Sequence, residues 1–258
     1  MHTILIVACG LFGLAIGSFV NVVIYRVPLD KSVVRPRSSC PSCSTEIRAR
    51  DNIPVLSWMM LKGRCRSCGA SISKRYPTVE LSCAALFAAT GARIGLEWDL
   101  PALLVLLATL LALALIDLEH YLVPKRIVYW SLAMVYGLLV VASAATGEWH
   151  RLLVASLCAI AWFGVFFVIN ASSPRALGYG DVRLALLLGV GLGWLGIGYV
   201  VVGFFAANLI GATVGVALIV TKKMERRQRI PYAVFLAIGA AVAIFTGSLL
   251  LPPLQPYL

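Results

Sequence analysis

The chain has 258 residues, of which 60% are hydrophobic and 13% are charged, and its mean hydropathy is +0.92. These values exclude an ordinary soluble domain and indicate an integral membrane protein. The formal net charge of +11 lies mainly in the loops, which favours a membrane-orientation signal over nucleic-acid binding.

Apolar segments long enough to cross a bilayer, roughly 17 to 25 residues each, recur along the chain. The first has neither a basic amino-terminal region nor a small-residue cleavage site, so we interpret it as a retained helix rather than a signal peptide. We predict an all-α polytopic membrane protein with about eight transmembrane helices. The predicted spans are 3–24, 78–92, 100–116, 127–145, 152–169, 182–195, 196–220 and 232–251.

The basic residues predict the orientation of these spans. Segment 26–77 holds eleven Lys and Arg, and three shorter loops hold two, two and five, which accounts for twenty of the twenty-two. An eight-span arrangement with both termini outside places all of these loops in the cytoplasm. The basic loops are therefore expected on the cytoplasmic side of a membrane, with membrane lipid as a partner. Between the sixth and seventh spans, the glycine-rich segment 191–198 predicts a tight outer turn or a broken helix.

Composition divides the chain into a first transmembrane helix (1–25), a cytoplasmic Cys-rich loop (26–77) and a seven-helix membrane core (78–258). The loop contains two C-x-x-C pairs separated by 21 residues, a spacing typical of zinc ribbons. The pairs are Cys40 with Cys43 and Cys65 with Cys68.

Structural zinc is favoured over two disulfides because thiols stay reduced in the cytoplasm and because so small a polar segment needs a staple to fold. Nearby Arg64, Arg66 and Lys74 are expected to offset the negative charge of four thiolates. The other cysteines lie within spans and are interpreted as packing residues; they are Cys9, Cys83 and Cys158.

Two aspartates stand at the edges of apolar spans, where an ionisable side chain is costly and usually functional. Asp117 ends the third span and Asp181 begins the sixth, so both are expected at the cytoplasmic ends of their helices. Two close carboxylates titrate as a coupled pair, in which one holds a proton while the other is charged. Asp181 alone could be a helix N-terminal cap or a partner of the helix dipole, but a helix C-terminus disfavours an anion at Asp117, so capping does not explain that residue. The pair therefore predicts aspartic protease chemistry.

Other residues near these aspartates indicate a function less clearly. Gly178 and Gly180 lack a Cβ and are expected to let an extended substrate backbone approach Asp181. Glu80 at the foot of the second span is a second-tier candidate that could simply pair with Arg75. Glu119 and His120 are interpreted as residues of the membrane interface rather than as metal ligands.

Six ordered motifs resemble the type IV prepilin peptidases, bacterial leader peptidases among the GxGD membrane aspartic proteases. They are GLAIGSFVNVVIYRVP, CPSC with DNIPVLSWMMLKGRCRSC, ISKRYPTVE, IDLEHYLVP, GYGDVRLA and RIPYAVFLAIGA. The resemblance extends over nearly the whole chain. It departs from the usual family pattern at Arg183, where a Lys is common, so charge is kept while the shape of the cation changes.

The resemblance implies that Asp117 and Asp181 are the catalytic pair and that Gly178, Gly180 and Arg183 belong to the site motif. It implies cleavage of a short basic leader from prepilin or pseudopilin precursors, after a glycine, at the cytoplasmic face. Members with the Cys-rich region typically also methylate the new amino terminus with S-adenosylmethionine, so both activities are expected. No glycine-rich dinucleotide-type loop is visible, and the residues that bind this cofactor stay unassigned.

Two other classes of function use the same features. A transporter or channel could relay protons or cations through membrane aspartates, although no repeat between halves is visible. A zinc-stapled assembly scaffold could use the basic loop as a docking surface without any catalysis.

Overall fold

The computed structural model describes residues 2–173, 177–221 and 230–250, with the side chain of residue 250 excepted. Within these ranges the regular structure is helical, with only isolated β-bridges in the Cys-rich loop. The helices are α1 (His2–Arg26), α2 (Leu56–Met60), α3 (Arg75–Ile94), α4 (Leu100–His120), α5 (Lys125–Thr146), α6 (Trp149–Ser172), α7 (Tyr179–Leu195), α8 (Ile197–Val220) and α9 (Tyr232–Leu250).

The chain forms two compact units, Met1–Leu96 and Glu97–Leu258. The first contains α1 to α3 and the second contains α4 to α9. Helix α3 therefore belongs with α1, whereas the composition-based division placed a boundary at residue 77. That three-part division remains a prediction.

Small residues bring α1 and α3 into close contact in the first unit. A Cβ on Gly13 would lie 2.7 Å from Ala84 Cα, and a Cβ on Gly17 would lie 2.7 Å from Glu80 Cα. Glycines four residues apart form one small-residue face of a helix, which lets two membrane helices approach backbone to backbone. The Asn21 side chain adds a hydrogen bond by donating to the Tyr76 carbonyl at 3.1 Å.

Helix α7 is the most deeply buried helix of the second unit, and glycines make its contacts possible. A Cβ on Gly189 would lie 2.3 Å from Ala159 Cα of α6, and a Cβ on Gly191 would lie 2.4 Å from Leu106 Cδ2 of α4. Helix α7 ends at Leu195, and Gly196 with φ of 131° connects it to α8. The glycine-rich segment is therefore a tight turn rather than a break within one helix.

All eight predicted spans correspond to helices, but only some have the length and hydropathy of a membrane span. Within the described ranges, six helices are long and apolar enough to cross a membrane: α1, α4, α5, α6, α8 and α9. Helix α7 has 17 residues, and α3 carries charged residues among its apolar ones. The all-helical membrane architecture is confirmed in this coarser form, while eight crossings remain a prediction. Three predicted features lie outside the described residues: the basic segment 222–229, Arg175 and the end of the last predicted span.

Candidate active site and cysteine cluster

Asp117 and Asp181 come together in the second unit although they are 64 positions apart in the sequence. Asp117 lies in the last turn of α4 and Asp181 in the first turn of α7. Both residues are buried, with 5% and 8% of their surface exposed, and their carboxyl groups lie close enough to interact electrostatically. That the two carboxylates face each other as a catalytic pair stays a prediction.

The two carboxylates have few polar partners. The backbone N–H of Ala233, near the start of α9, donates to Asp117 Oδ2 at 3.0 Å. Asp181 Oδ1 is buried and contacts no hydrogen-bond donor among the described residues. Within the same part of the chain, no basic side chain forms an ion pair with either aspartate. Among the described residues the pair thus has no ion-pair partner, as expected of carboxyl groups that share a proton.

Asp181 is not the N-cap residue of α7. The N-cap of α7 is Gly178, which has an extended backbone and no side chain to accept a capping hydrogen bond. Asp181 lies three residues further on, where the helix dipole still favours a negative charge. Asp181 also accepts a backbone hydrogen bond from Gly178, so an interaction with the helix N-terminus accompanies its proximity to Asp117.

The two motif glycines bring other groups against the start of α7. A Cβ on Gly178 would lie 3.1 Å from Asp181 Oδ2, and a Cβ on Gly180 would lie 2.7 Å from Val123 Cβ. Val123 follows α4, so Gly180 lets the segment after Asp117 contact the helix that carries Asp181. The space at Gly180 is thus filled by the protein itself, and substrate approach past Gly178 stays a proposal.

Arg183 has a neighbour on its own helix. Its guanidinium carbon lies 4.8 Å from the centre of the Tyr179 ring, and its Nε is buried without a hydrogen-bond partner among the described residues. A planar guanidinium stacks on an aromatic face better than an ammonium does. This contact is a physical reason for Arg at this position.

A third buried aspartate, which the sequence analysis did not single out, lies at the opposite end of α4 and α7. Asp99 Oδ2 accepts a hydrogen bond from Trp194 Nε1 at 2.9 Å and lies 3.7 Å from an Arg151 nitrogen. Arg151 also donates to the Trp194 carbonyl and to Glu148, and its guanidinium stacks on the Trp194 ring at 4.6 Å. This group, the Asp99 cluster, joins the beginnings of α4 and α6 to the end of α7.

The four loop cysteines converge in the first unit, in two turns of the same geometry. Cys40 and Cys65 each donate a backbone hydrogen bond to the carbonyl five residues later, at 3.0 and 2.8 Å. Each also accepts one from the residue four positions later. These residues, Ser44 and Gly69, both have positive φ, at 56° and 72°.

The arrangement of the sulfur atoms fits a zinc ion. All four Sγ atoms lie within 4.8 Å of one another, and Cys40 and Cys68 are 3.8 Å apart. Four sulfurs at about 2.3 Å from one tetrahedral zinc lie about 3.8 Å apart. Among the described residues, every cysteine is a free thiol, which favours the metal over the two disulfides.

Hydrogen bonds and neighbouring thiols shift the pKa values of Cys43 and Cys68 in opposite directions. Hydrogen bonds from Thr45 lower the pKa of Cys43 to about 6. At Cys68 a backbone hydrogen bond from Ala70 lowers the pKa. The neighbouring cysteine thiols, Cys43 foremost, and burial outweigh it and raise the pKa to about 11. Sulfurs this close compete for protons, and a divalent cation at their centre would favour all four thiolates.

The remaining predicted residues have structural partners. Arg66 forms a bidentate pair with Asp51, in which Nε donates at 2.9 Å, and this pairing lowers the pKa of Asp51. Glu80 is buried and accepts a hydrogen bond from the Val55 backbone N–H at 2.7 Å. Within the spans Cys9 and Cys83 are buried and Cys158 half-buried, as expected of packing residues. Beyond α4's apolar part, Glu119 and His120 lie 3.9 Å apart and are partly exposed.

Comparison with known proteins agrees with the division into two units. Residues 11–94 match the Bacterial Peptidase A24 N-terminal domain, and residues 104–216 match the Type IV leader peptidase family. The chain belongs to the type IV leader peptidase family. The second match contains both Asp117 and Asp181, and the first contains all four loop cysteines.

Relatives of known name cover almost the whole chain. A protein of Bacillus subtilis is 35% identical over 92% of this chain and 93% of its own length. Proteins of Stutzerimonas stutzeri and Pseudomonas aeruginosa are each 32% identical, over 94% and 96% of this chain and 91% and 92% of their own lengths. All three are named prepilin leader peptidase/N-methyltransferase. No solved structure matches the chain. The transporter alternative finds no support in these comparisons.

Proposed function

We propose that this protein cleaves the leader from type IV prepilin-like precursors with Asp117 and Asp181 as its catalytic pair, and methylates the amino terminus so exposed. The observation that carries the proposal is the meeting of two buried carboxylates at adjacent ends of α4 and α7, without a countercharge among the described residues. Family membership and the names of the relatives support both activities.

The chemistry of cleavage follows from two carboxyl groups that share one proton. The ionised carboxylate takes a proton from water as the water oxygen bonds to the scissile carbonyl carbon. The protonated partner donates its proton to the carbonyl oxygen. The carbon–nitrogen bond then breaks as the carboxyl group that took the proton from water passes it to the leaving nitrogen, and the other carboxylate regains its proton from the hydroxyl of the intermediate. The Ala233 N–H orients Asp117, and the unpartnered Asp181 Oδ1 is available to the attacking water.

The location of the aspartates suits a substrate with a basic leader followed by an apolar helix. Because the basic loops predict the cytoplasmic side, the ends of α4 and α7 that carry the aspartates lie at that face in our proposal. A scissile bond between a soluble leader and a membrane helix lies at the same interface. The proposed setting is a bacterial inner membrane with both termini outside, and the proposed pathways are type IV pilus assembly or type II secretion.

Asparagine substitutions test the catalytic pair. Asp117→Asn and Asp181→Asn keep the size of each side chain but remove the shared proton, so cleavage of a prepilin precursor should fall on the order of 10³-fold or more. Mass spectrometry of the precursor and product measures the rate. Asp99→Asn is the matched control, because it changes a buried aspartate in the same unit that lies away from the pair, and it should cleave within a few-fold of wild type. Near-normal cleavage by a folded Asp117 or Asp181 variant would refute the assignment.

We further propose that zinc, held by Cys40, Cys43, Cys65 and Cys68, stabilises the first unit, which takes part in methyl transfer. Zinc here would supply structural stability, since four thiolates leave no open position for a reacting ligand. S-adenosylmethionine would supply the methyl group, and its binding residues stay unassigned.

Metal analysis and methylation assays test this part separately. Purified wild-type protein should hold one zinc per chain, and Cys40→Ser and Cys65→Ser should lose it because each removes one of the four thiolate ligands. Loss of structural zinc should also destabilise the loop, since such sites contribute on the order of 10 kcal/mol to folding. Methylation should be lost in both variants while Asp117-dependent cleavage is retained at least in part. Cys158→Ala, outside the cluster, should keep the metal. Two intact disulfides in the mass of the alkylated protein, with no zinc, would contradict the proposal.

A further inference from the structure

Helix α2 in the Cys-rich loop presents apolar side chains outward and a polar one inward. The outward residues Ile53, Leu56, Met59 and Met60 are 47%, 50%, 63% and 70% exposed. Leu56, Met59 and Met60 are spaced by three and four positions, which places them on one side of α2, and Ile53 lies just before the helix. We call these four exposed residues the α2 apolar face. On the inward side, Ser57 is buried, accepts from the Ile53 N–H and donates to the Arg50 carbonyl.

Specific contacts fix this orientation. The Trp58 indole donates from Nε1 to the Ile72 carbonyl at 3.1 Å. Its ring covers Gly63 so closely that a Cβ there would lie 2.9 Å from Trp58 Cζ2. Rotating α2 to bury its apolar residues would break these contacts and expose the polar groups of Ser57. The apolar face is therefore held outward by the fold.

The attachment of the loop to α3 sets the level of α2 along the membrane helices. The Val55 N–H, just before α2, donates to Glu80 Oε2 at 2.7 Å, and Glu80 is buried against α1. Glu80 is the sixth residue of α3, which places it about 7.5 Å along the helix from its start. Glu80 also lies where the apolar part of α3 begins. The start of α2 is therefore beside the beginning of the apolar part of α3.

Exposed positive charges surround the α2 apolar face. Before α2 they are Arg48 and Arg50, and after it they are Lys62 and Arg64. The acidic residue among them, Asp51, is already paired with Arg66. A short helix with an outward apolar face and flanking basic residues matches the composition of segments that bind anionic membrane surfaces.

We propose that the α2 apolar face inserts into the boundary between head groups and acyl chains of the adjacent leaflet, with the flanking basic residues on anionic phosphate head groups. Helix α2 would then anchor the cysteine cluster to the membrane surface, through the Trp58 contact with Ile72 and the Arg66 pair with Asp51. This interaction does not depend on either proposed enzymatic activity.

Photocrosslinking in the full-length protein tests the insertion. A benzophenone amino acid is placed at position 60, and the same group at position 34 serves as the control, because Val34 is an exposed apolar residue (77%) of the same loop outside α2. In bilayers of phosphatidylcholine with phosphatidylglycerol, position 60 should form lipid adducts at least about ten-fold more often than position 34. Equal adduct yields at both positions would overturn the proposal. Crosslinks from position 60 to protein, either this chain or another copy, would also overturn it and identify a protein partner instead.

The charge part has its own comparison. Adducts at position 60 should contain phosphatidylglycerol above its mole fraction, and Lys62→Gln with Arg64→Gln should remove this enrichment. Inorganic phosphate should compete no better than chloride at equal ionic strength. Unchanged enrichment in the Gln variants would overturn the role of the basic residues, and selective competition by phosphate would indicate a site for the free anion rather than for lipid.

Discussion

The two ends of the α4–α7 helix pair both bury aspartate, but they surround it differently. At one end Asp99 contacts an arginine and an indole N–H, so its charge and one of its oxygens are matched. At the other end, about 27 Å away along α4, Asp117 and Asp181 interact electrostatically with each other and accept backbone hydrogen bonds, from Ala233 and Gly178, but form no ion pair among the described residues. Burial alone therefore does not distinguish a structural carboxylate from a reactive one. The neighbouring charge does, because a paired carboxylate stays ionised and two unpaired ones compete for a proton.

The largest effect in this comparison is expected at the contact between Gly180 and Val123, which we expect to position the two catalytic aspartates. Gly180→Ala would force the start of α7 away from the segment after α4, since the added Cβ would lie 2.7 Å from Val123 Cβ. A displacement near 1 Å of one catalytic group can cost on the order of 10²-fold in rate, so cleavage should fall by about that factor. Rates measured with a prepilin precursor check the prediction.

Two further variants serve as controls for this substitution. Gly164→Ala places a Cβ in open space on α6 and should leave cleavage unchanged. Val123→Gly in the Gly180→Ala background removes the clash and should restore part of the rate. Full activity of Gly180→Ala would mean that this contact does not position the pair.

A smaller effect is expected at the Asp99 end. Trp194→Phe keeps an aromatic ring over Arg151 but removes the N–H that donates to Asp99, which should lower the free energy of unfolding by about 1–3 kcal/mol. Trp162→Phe is the matched control, because the indole N–H of Trp162 is also buried but has no described acceptor. Thermal unfolding in detergent should therefore show a larger loss for Trp194→Phe. Equal losses would show that the hydrogen bond to Asp99 contributes nothing measurable.

The sequence predicts the features that depend on local composition. Hydropathy is enough to place the eight long helices, and two C-x-x-C pairs are enough to indicate the cysteine cluster. Asp117 and Asp181 are identifiable because a carboxylate at the edge of an apolar span is costly. The expectation that they meet required a second argument, from the distribution of basic residues among the loops.

The features that the sequence does not predict depend on contacts between distant residues. Asp99 follows Glu97 in a short polar turn and looks like a solvated loop residue until Trp194, 95 positions later, is placed beside it. The role of Gly180 requires the position of Val123, and the outward apolar face of α2 requires the inward contacts of Trp58. Helix α2 has five residues, too few to show a helical period in the sequence alone.

The most direct test of the shared proton is a double-mutant cycle on Asp117 and Asp181, with residual cleavage measured under single-turnover conditions. Residues that act as one unit lose their function together, so Asp117→Asn combined with Asp181→Asn should be no slower than either single variant. If the two losses instead multiply in the double variant, the aspartates act independently and the account of a coupled pair is wrong.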